Sequence, residues 1–269
     1  MSHEQADSVP AALITGASSG IGRCYAEQLA RRGYAPILVA RRADRLGALA
    51  ETVRRDTGLE ATVLAADLAD PDDLARVEQT VLDHDSLEVV VNAAGLGALG
   101  PLREAAPGDL DRLVAVNVLA LTRLSRAALL AFERPGSGTL INVSSIGAFH
   151  APPGGSAYAA SKAYDLHFSR ALQREVEGTG IRVQVVLPGP VRTEFFEASG
   201  VDSAMFPEES FVDADDLVRA ALTGLDRGEL VCIPTLPDMA AWEEEAGRQR
   251  ALRDAAGLRG VISDRYARP

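Results

Sequence analysis

The sequence predicts an α/β fold: a doubly wound, mainly parallel seven-stranded sheet with helices on both faces. Three observations predict it. Short β-rich runs alternate with longer helical patterns along the chain, which implies a parallel sheet joined by right-handed crossovers. Several of those runs are continuously apolar rather than alternating, the mark of strands covered on both sides. No stretch rich in Gly, Pro or Ser splits the chain, and no internal repeat interrupts it.

The elements follow in order. AALIT (11–15) reads as the first strand and leads through a glycine-rich turn to a helix over about 20–32. APILVA (35–40) and ATVLAA (61–66) read as the next strands, each followed by a helical pattern, at 43–57 and 71–84. LEVVVN (87–92) precedes a long helix at 107–133, and GTLINVS (138–144) one at 156–178. IRVQVVL (181–187) and ELVCIP (229–234) complete the strands, with helices at 213–227 and 238–256. The expectation is one domain over 10–256, with residues 1–9 a flexible start and 257–269 a loose tail.

With 269 residues, 47% hydrophobic and 24% charged, the chain has material for a full core. A net charge of −11 argues against nucleic acid or an anionic membrane as partner. No run of about 18 apolar residues is evident, and the opening MSHEQADSVP lacks the apolar core of a signal peptide. Two cysteines make no disulfide framework, so a reduced, cytoplasmic protein is expected.

LITGASSGIGRCYAEQLARRG runs strand, glycine-rich turn, helix, with Gly16, Gly20 and Gly22 at the turn. Positions without side chains let backbone N–H groups approach a pyrophosphate, and a helix N-terminus favours an anion. The spacing is T-G-x-x-x-G-x-G rather than G-x-G-x-x-G.

Thr15-Gly16-Ala17-Ser18-Ser19-Gly20-Ile21-Gly22 resembles the cofactor motif of the short-chain dehydrogenases/reductases. Four further stretches match that family in order: Asp67-Leu68, Asn92-Ala93-Ala94-Gly95, Tyr158-Ala159-Ala160-Ser161-Lys162 and Pro188-Gly189. The resemblance covers roughly residues 10–235. It implies a Rossmann-type fold and a nicotinamide dinucleotide cofactor. It also implies that Asp67 contacts adenine, that Asn92–Gly95 lies beside the adenosine side, and that Pro188–Thr193 holds the carboxamide, with Val191 and Thr193 in that segment.

Tyr158 and Lys162 are four apart on a helix and share a face. Interconverting a carbonyl and an alcohol by hydride transfer needs an acid or base at the oxygen. A tyrosine, ordinarily near 10, is too weak a base at neutral pH. A lysine ammonium about 4 Å away would favour the phenolate by roughly 4 kcal/mol at an effective dielectric of 20. Lys162 is thus expected to tune Tyr158 and to hold the ribose hydroxyls. Strand alternation turns either Ser144 or Ser145 toward the site; the family spacing picks Ser145, to orient the substrate oxygen. Asn117 is a lone polar residue in LVAVNVLAL. It reads as a buried amide bonding the backbone or, by the resemblance, as the fourth member of the constellation, holding a water in a proton relay from Lys162.

LVARRADRL (38–46) sets Arg41 and Arg42 at a helix start, where cations oppose the helix dipole. NAD enzymes usually carry an acid at the end of the second strand. Here Ala40 stands there, and two guanidiniums follow that can clamp a 2′-phosphate. The cofactor is therefore expected to be NADP(H).

Segment 193–211 sits where the family places a substrate lid. Phe195, Phe196 and Met205 either cover an apolar ligand or pack the loop down. Phe149 and His150 follow Ser145 and either line the same pocket or lie at the surface. No metal spacing is present, so no metal is expected. The resemblance also implies a homodimer or homotetramer through the helices at 107–133 and 156–178. The function expected is NADPH-dependent carbonyl–alcohol interconversion on an uncharged, largely apolar small molecule. The rivals are a non-catalytic dinucleotide sensor and an epimerase or dehydratase on the same fold.

Overall fold

The structure, a computed structural model, describes residues 9–150, 152–200, 206–257, 260 and 262–266. These fall into two compact units, Met1–Pro234 and Thr235–Pro269. The first runs β1 (Ala11–Thr15), α1 (Gly20–Arg31), β2 (Ala35–Ala40), α2 (Ala43–Thr57), β3 (Thr62–Ala65), α3 (Pro71–Asp83) and β4 (Leu87–Asn92). It continues α4 (Pro107–Val114), α5 (Leu121–Glu133), β5 (Ser137–Val143), α6 (Ser156–Glu175), β6 (Gly180–Val186), β7 (Val191–Arg192) and α7 (Phe195–Ala198). β8 (Val212–Asp213), α8 (Ala214–Asp226) and β9 (Val231–Cys232) end it. The second unit holds α9 (Ala240–Gly257) and a single turn at Asp264–Tyr266.

Seven strands form one parallel sheet in the order β3-β2-β1-β4-β5-β6-β9. The chain winds outward from β1 to β3, then returns to β4 on the other side of β1. That reversal opens a crevice at the carboxyl ends of β1 and β4, where open α/β sheets bind ligands. Successive side chains point to opposite faces, so Leu13 and Ile14 enter two different cores. Ile14, Leu38 and Val91 pack with Tyr25 and Leu29 on one face. Leu13, Ile37 and Val90 pack with Leu124 and Phe132 on the other. This double burial is why the central strands read as unbroken apolar runs. β3 is the exception: it lies at the sheet edge, and Val63 is 40% exposed.

The helix expected over 107–133 is continuous but carries a π-helical turn at Ala115–Ala120 between α4 and α5. By length and composition this stretch could cross a membrane, with a mean hydropathy of 1.6, yet polar and charged residues interrupt it and half of the apolar window is buried inside the fold. β7 and β8, absent from the sequence reading, flank segment 193–211 and pair as a separate two-stranded parallel sheet.

Candidate active site

Three loops converge on the crevice. In the turn after β1, Gly16 and Gly20 have φ of 70° and 52°, a region L side chains rarely adopt. The space is also taken. A Cβ on Gly16 would meet the Ala93 and Ala94 backbone at 3.0 Å, and one on Gly20 would meet Thr193 Cγ2 at 2.9 Å. At Gly22 a Cβ would run into the Gly16 carbonyl. The Ala93 and Ala94 amides donate to Thr15 Oγ1 at 3.0 and 3.1 Å, tying the turn to the segment after β4. Backbone approach at a helix N-terminus is thus built in, and the cradle fits a pyrophosphate. Ile21 packs into the core beneath it and Leu68 is buried.

The arginines after β2 divide. Arg42 donates to Ser18 Oγ at 3.0 Å and to Ser19 Oγ at 2.8 Å, which ties the glycine-rich turn to the end of β2. Its other nitrogen pairs with Glu194 at 2.9 Å. Arg45, not singled out in the sequence, binds the same carboxylate at 2.6 Å. Those two hydrogen bonds, given first by Arg42 and then by Arg45, hold the Glu194 carboxyl below the usual carboxylate range. Arg41 is exposed, and its charge acts on Asp67. Partial burial would raise the Asp67 carboxyl. The Arg112 hydrogen bond at 2.8 Å, the Ala69 amide and the two arginine charges more than offset this.

The catalytic candidates meet above the ends of β4 and β5. Tyr158 and Lys162 lie on α6, Tyr158 half-buried and Lys162 buried. Ser145 Oγ accepts from Gly147 N at 3.0 Å and donates to Pro188 O at 3.5 Å, and its hydroxyl acts on the Tyr158 phenol by lowering it. Ser144 points away, donating to Lys162 O at 2.8 Å, so the two neighbours have separate tasks. Lys162 Nζ donates to Val143 O at 2.8 Å and lies 5.9 Å from the Tyr158 ring centre. Asn117, in the π turn, is 2% exposed. Its Oδ1 accepts from Leu96 N at 2.8 Å, and its Nδ2 donates to Leu96 O at 2.9 Å and Ser161 Oγ at 3.0 Å. The side chain therefore fastens the loop after β4 to α6; the buried-amide reading describes its contacts. Asn92 donates to Asn142 Oδ1 at 3.0 Å and Ser125 Oγ at 3.2 Å, holding β4 to β5 and α5.

Burial pushes the Tyr158 phenol up, the Ser145 hydrogen bond lowers it, and the charge of Asp165 raises it. Burial in turn lowers Lys162, and Asp165 opposes that shift.

Pro188 O accepts from Ile146 N at 2.9 Å, Gly189 lies beside the Ile146 side chain, and Val191 is buried under α8. Thr193 Oγ1 accepts from Phe195 N at 3.3 Å. The phenylalanines of segment 193–211 split: Phe195 packs on Tyr158 with ring centres 5.5 Å apart, whereas Phe196 packs with Phe206 and Phe211. Phe149 and His150 are exposed at the end of the turn that begins beside Ser145. Met205 lies outside the described residues. Arg192 is engaged by Glu208 at 2.5 Å and Asp213 at 3.4 Å. Among the described residues no group of three His, Cys, Asp or Glu could hold a metal.

The family model described as short chain dehydrogenase matches residues 10–203. A short-chain dehydrogenase from Sphingobium yanoikuyae in complex with NADPH is 40% identical. It superposes with a TM-score of 0.91 over 96% of this chain and 100% of that one. The bulky-bulky ketone specific alcohol dehydrogenase from Comamonas testosteroni is 37% identical, with a TM-score of 0.87 over 97% and 99% of the two chains. A short chain dehydrogenase of Pseudocercospora fijiensis is 37% identical over 187 residues, 68% of this chain but 60% of that longer relative.

Proposed function

The chain belongs to the short-chain dehydrogenase/reductase family, and on that premise we propose that it is an NADPH-dependent oxidoreductase interconverting a bulky, uncharged carbonyl compound and its alcohol. The observation that carries the reading is the convergence of Ser145, Tyr158 and the buried Lys162, with Lys162 Nζ 5.9 Å from the Tyr158 ring centre and Phe195 packed against that ring.

The side-chain-free turn at Gly16, Gly20 and Gly22 would hold the pyrophosphate, Asp67, Leu68 and Asn92–Gly95 the adenosine side, and Pro188–Thr193 the carboxamide. The bound cofactor supplies or accepts the hydride. Ser145 holds the substrate oxygen, and Tyr158 gives it a proton in reduction or takes one in oxidation. Burial keeps the phenol protonated at neutral pH, which suits the acid role. Lys162 would hold ribose hydroxyls, and Asn117 keeps the loop after β4 across it. Arg41, Arg42 and Arg45 form the cationic corner that a 2′-phosphate fits; the NADPH complex of the Sphingobium relative supports this choice.

Phe195 offers apolar surface at the reacting centre, and the Comamonas relative is described as specific for bulky-bulky ketones. Arg192, the cation nearest the lid in sequence, is already paired with two acids. Exposed Val114, Leu119, Leu130 and Tyr164 on the α4–α5 stretch and α6 suit a homodimer or homotetramer, and the two free cysteines suit the cytoplasm. A turnover assay on a carbonyl panel tests the reading. Bulky neutral ketones should exceed short keto acids in kcat/KM by about tenfold, and Tyr158→Phe should lose at least about 10²-fold in kcat with NADPH binding retained. A variant retaining more than half its turnover overturns the role of Tyr158, and a preference for keto acids overturns the substrate class.

A further inference from the structure

The sheet-facing side of α6 carries a titratable group that the reaction above does not use. Asp165, one turn after Lys162, is fully buried. Its Oδ1 accepts from Ser169 Oγ at 3.2 Å, and its Oδ2 has no hydrogen-bond partner. Behind Ser169 a chain of donors points the same way. Asn92 Nδ2 donates to Asn142 Oδ1 at 3.0 Å, and Asn142 Nδ2 donates to Ser169 Oγ at 2.9 Å. Each bond in that chain directs its donor toward the carboxylate, and buried hydrogen bonds in series polarise one another. Such an array favours the ionised form of the group at its end.

Lys162 has the complementary need. It is 6% exposed, and among the described residues its ammonium has one hydrogen-bond partner, the Val143 carbonyl. A buried ammonium with so little solvation loses its proton unless a negative charge stands near. Asp165 is the group whose field opposes that loss. The surroundings supply no substitute. β5, the π turn at Ala115–Ala120 and the short turn Ile146–Phe149 contain no titratable side chain. On β6, Arg182 is exposed and donates to Thr139. On α4, Asp109 and Asp111 are exposed and Arg112 pairs with Asp67. On α6 itself Tyr164, His167, Arg174 and Glu175 are exposed, Arg170 is half-buried, and Asp165 also influences the Tyr158 phenol.

We infer that Asp165 is a positioning residue for the proposed reaction: a buried counter-charge, held by the Asn92–Asn142–Ser169 donor chain, that keeps Lys162 an ammonium. It touches neither substrate nor cofactor and acts through Lys162. The inference rests on the catalytic reading of Lys162 for its consequence in turnover, but not for the electrostatic effect itself.

Asp165→Asn preserves shape and removes the charge. The Lys162 amine, observed by nitrogen NMR in the cofactor-free protein and identified by its loss in Lys162→Met, should release its proton at lower pH. The alkaline limb of kcat should move the same way, so that the variant-to-parent ratio of kcat falls about tenfold across the limb, as one pH unit of displacement produces. Ser169→Ala keeps the carboxylate but removes its donor. It should move both readouts in the same direction by less, and it serves if Asp165→Asn does not fold. An unmoved amine titration in the folded variant overturns the inference whatever the activity. So does a loss of kcat that is equal at every pH, because packing alone would produce that. A moved titration with an unmoved kcat profile supports the inference and counts instead against the proposed role of Lys162.

Discussion

Lys162 with Asp165 and Arg42 with Glu194 are both pairs of a cation and a carboxylate, set in opposite surroundings. Arg42 and Glu194 touch at 2.9 Å, but their side chains are 38% and 49% exposed. Lys162 and Asp165 are buried, and Asp165 Oδ2 is left without a hydrogen bond. Contact distance alone would rank the arginine pair higher. Dielectric ranks it lower: exposed pairs contribute little because water screens them, whereas charges inside a protein act strongly even without contact. The buried pair is fixed machinery; the exposed pair can exchange partners. The first suits proton chemistry, the second admission of an anionic ligand.

The largest expected effect that tests this contrast is in stability, because the two carboxylates titrate with opposite signs. Burial pushes Asp165 up from 3.8 to about 6, against the pull of Lys162 and Ser169. A carboxyl raised in the folded state holds its proton more tightly there. Its contribution to stability is therefore full below the unfolded value of 3.8 and is lost as pH rises through about 6. The parent should lose stability relative to Asp165→Asn between about pH 4 and pH 6, by an upper bound on the order of 3 kcal/mol. Urea midpoints across that range measure it, and a pH-independent difference would show that Asp165 is not a buried titrating charge. Glu194, lowered from 4.5 by its arginines, should do the reverse: stability present above 4.5 and lost as pH falls below it.

The cofactor corner comes next in size. Replacing Arg42 and Arg45 together by Ala should weaken NADPH binding by tenfold or more and NADH binding far less, because hydrogen bonds to charged groups are worth about 1.5–3 kcal/mol each. Fluorescence titration with both nucleotides checks it. Equal losses would mean that the pair organises the turn through Ser18 and Ser19 and does not read the 2′-phosphate.

These sites differ in how far they could be read from sequence. β1, β2, β4 and α2 have the bounds that their apolar runs and helical pattern indicate, because double burial leaves an unbroken hydrophobic trace. β7 and β8 are two residues each, too short to leave a pattern. Tyr158 and Lys162 were singled out by the family motif that contains them, since a spacing of four alone also fits a packed tyrosine and a solvated lysine. Asp165 was not, since a polar residue on a helix ordinarily reads as solvated, and here Ser161, Lys162, Asp165 and Ser169 are all buried toward the sheet. Arg45 had a signal that went unused: it lies three residues after Arg42, on the same helix face. Glu194 had none. It meets Arg42 across 152 residues of chain, and only the return of the lid segment to the end of β2 brings them together.

That long-range contact carries the smallest prediction. Arg41 and Arg42 call for an anion at the head of α2, and in this structure Arg42 and Arg45 both find it in Glu194, the residue after Thr193 at the start of the lid. A 2′-phosphate brought to the same guanidiniums would compete with that carboxylate and displace it. Displacement would also cut the lid's ionic tie to α2, leaving Phe195 on Tyr158 as a remaining link near the reacting centre. Glu194→Gln should therefore tighten NADPH binding, by no more than about fivefold since exposed pairs are weak. NADH binding should stay unchanged, and the NADPH effect should fade with added salt, which screens the exposed carboxylate. If Glu194→Gln weakens NADPH instead, the carboxylate orients the arginines for the phosphate rather than competing with it. The exposed pair would then be as much fixed machinery as the buried one, and the contrast between them would fail.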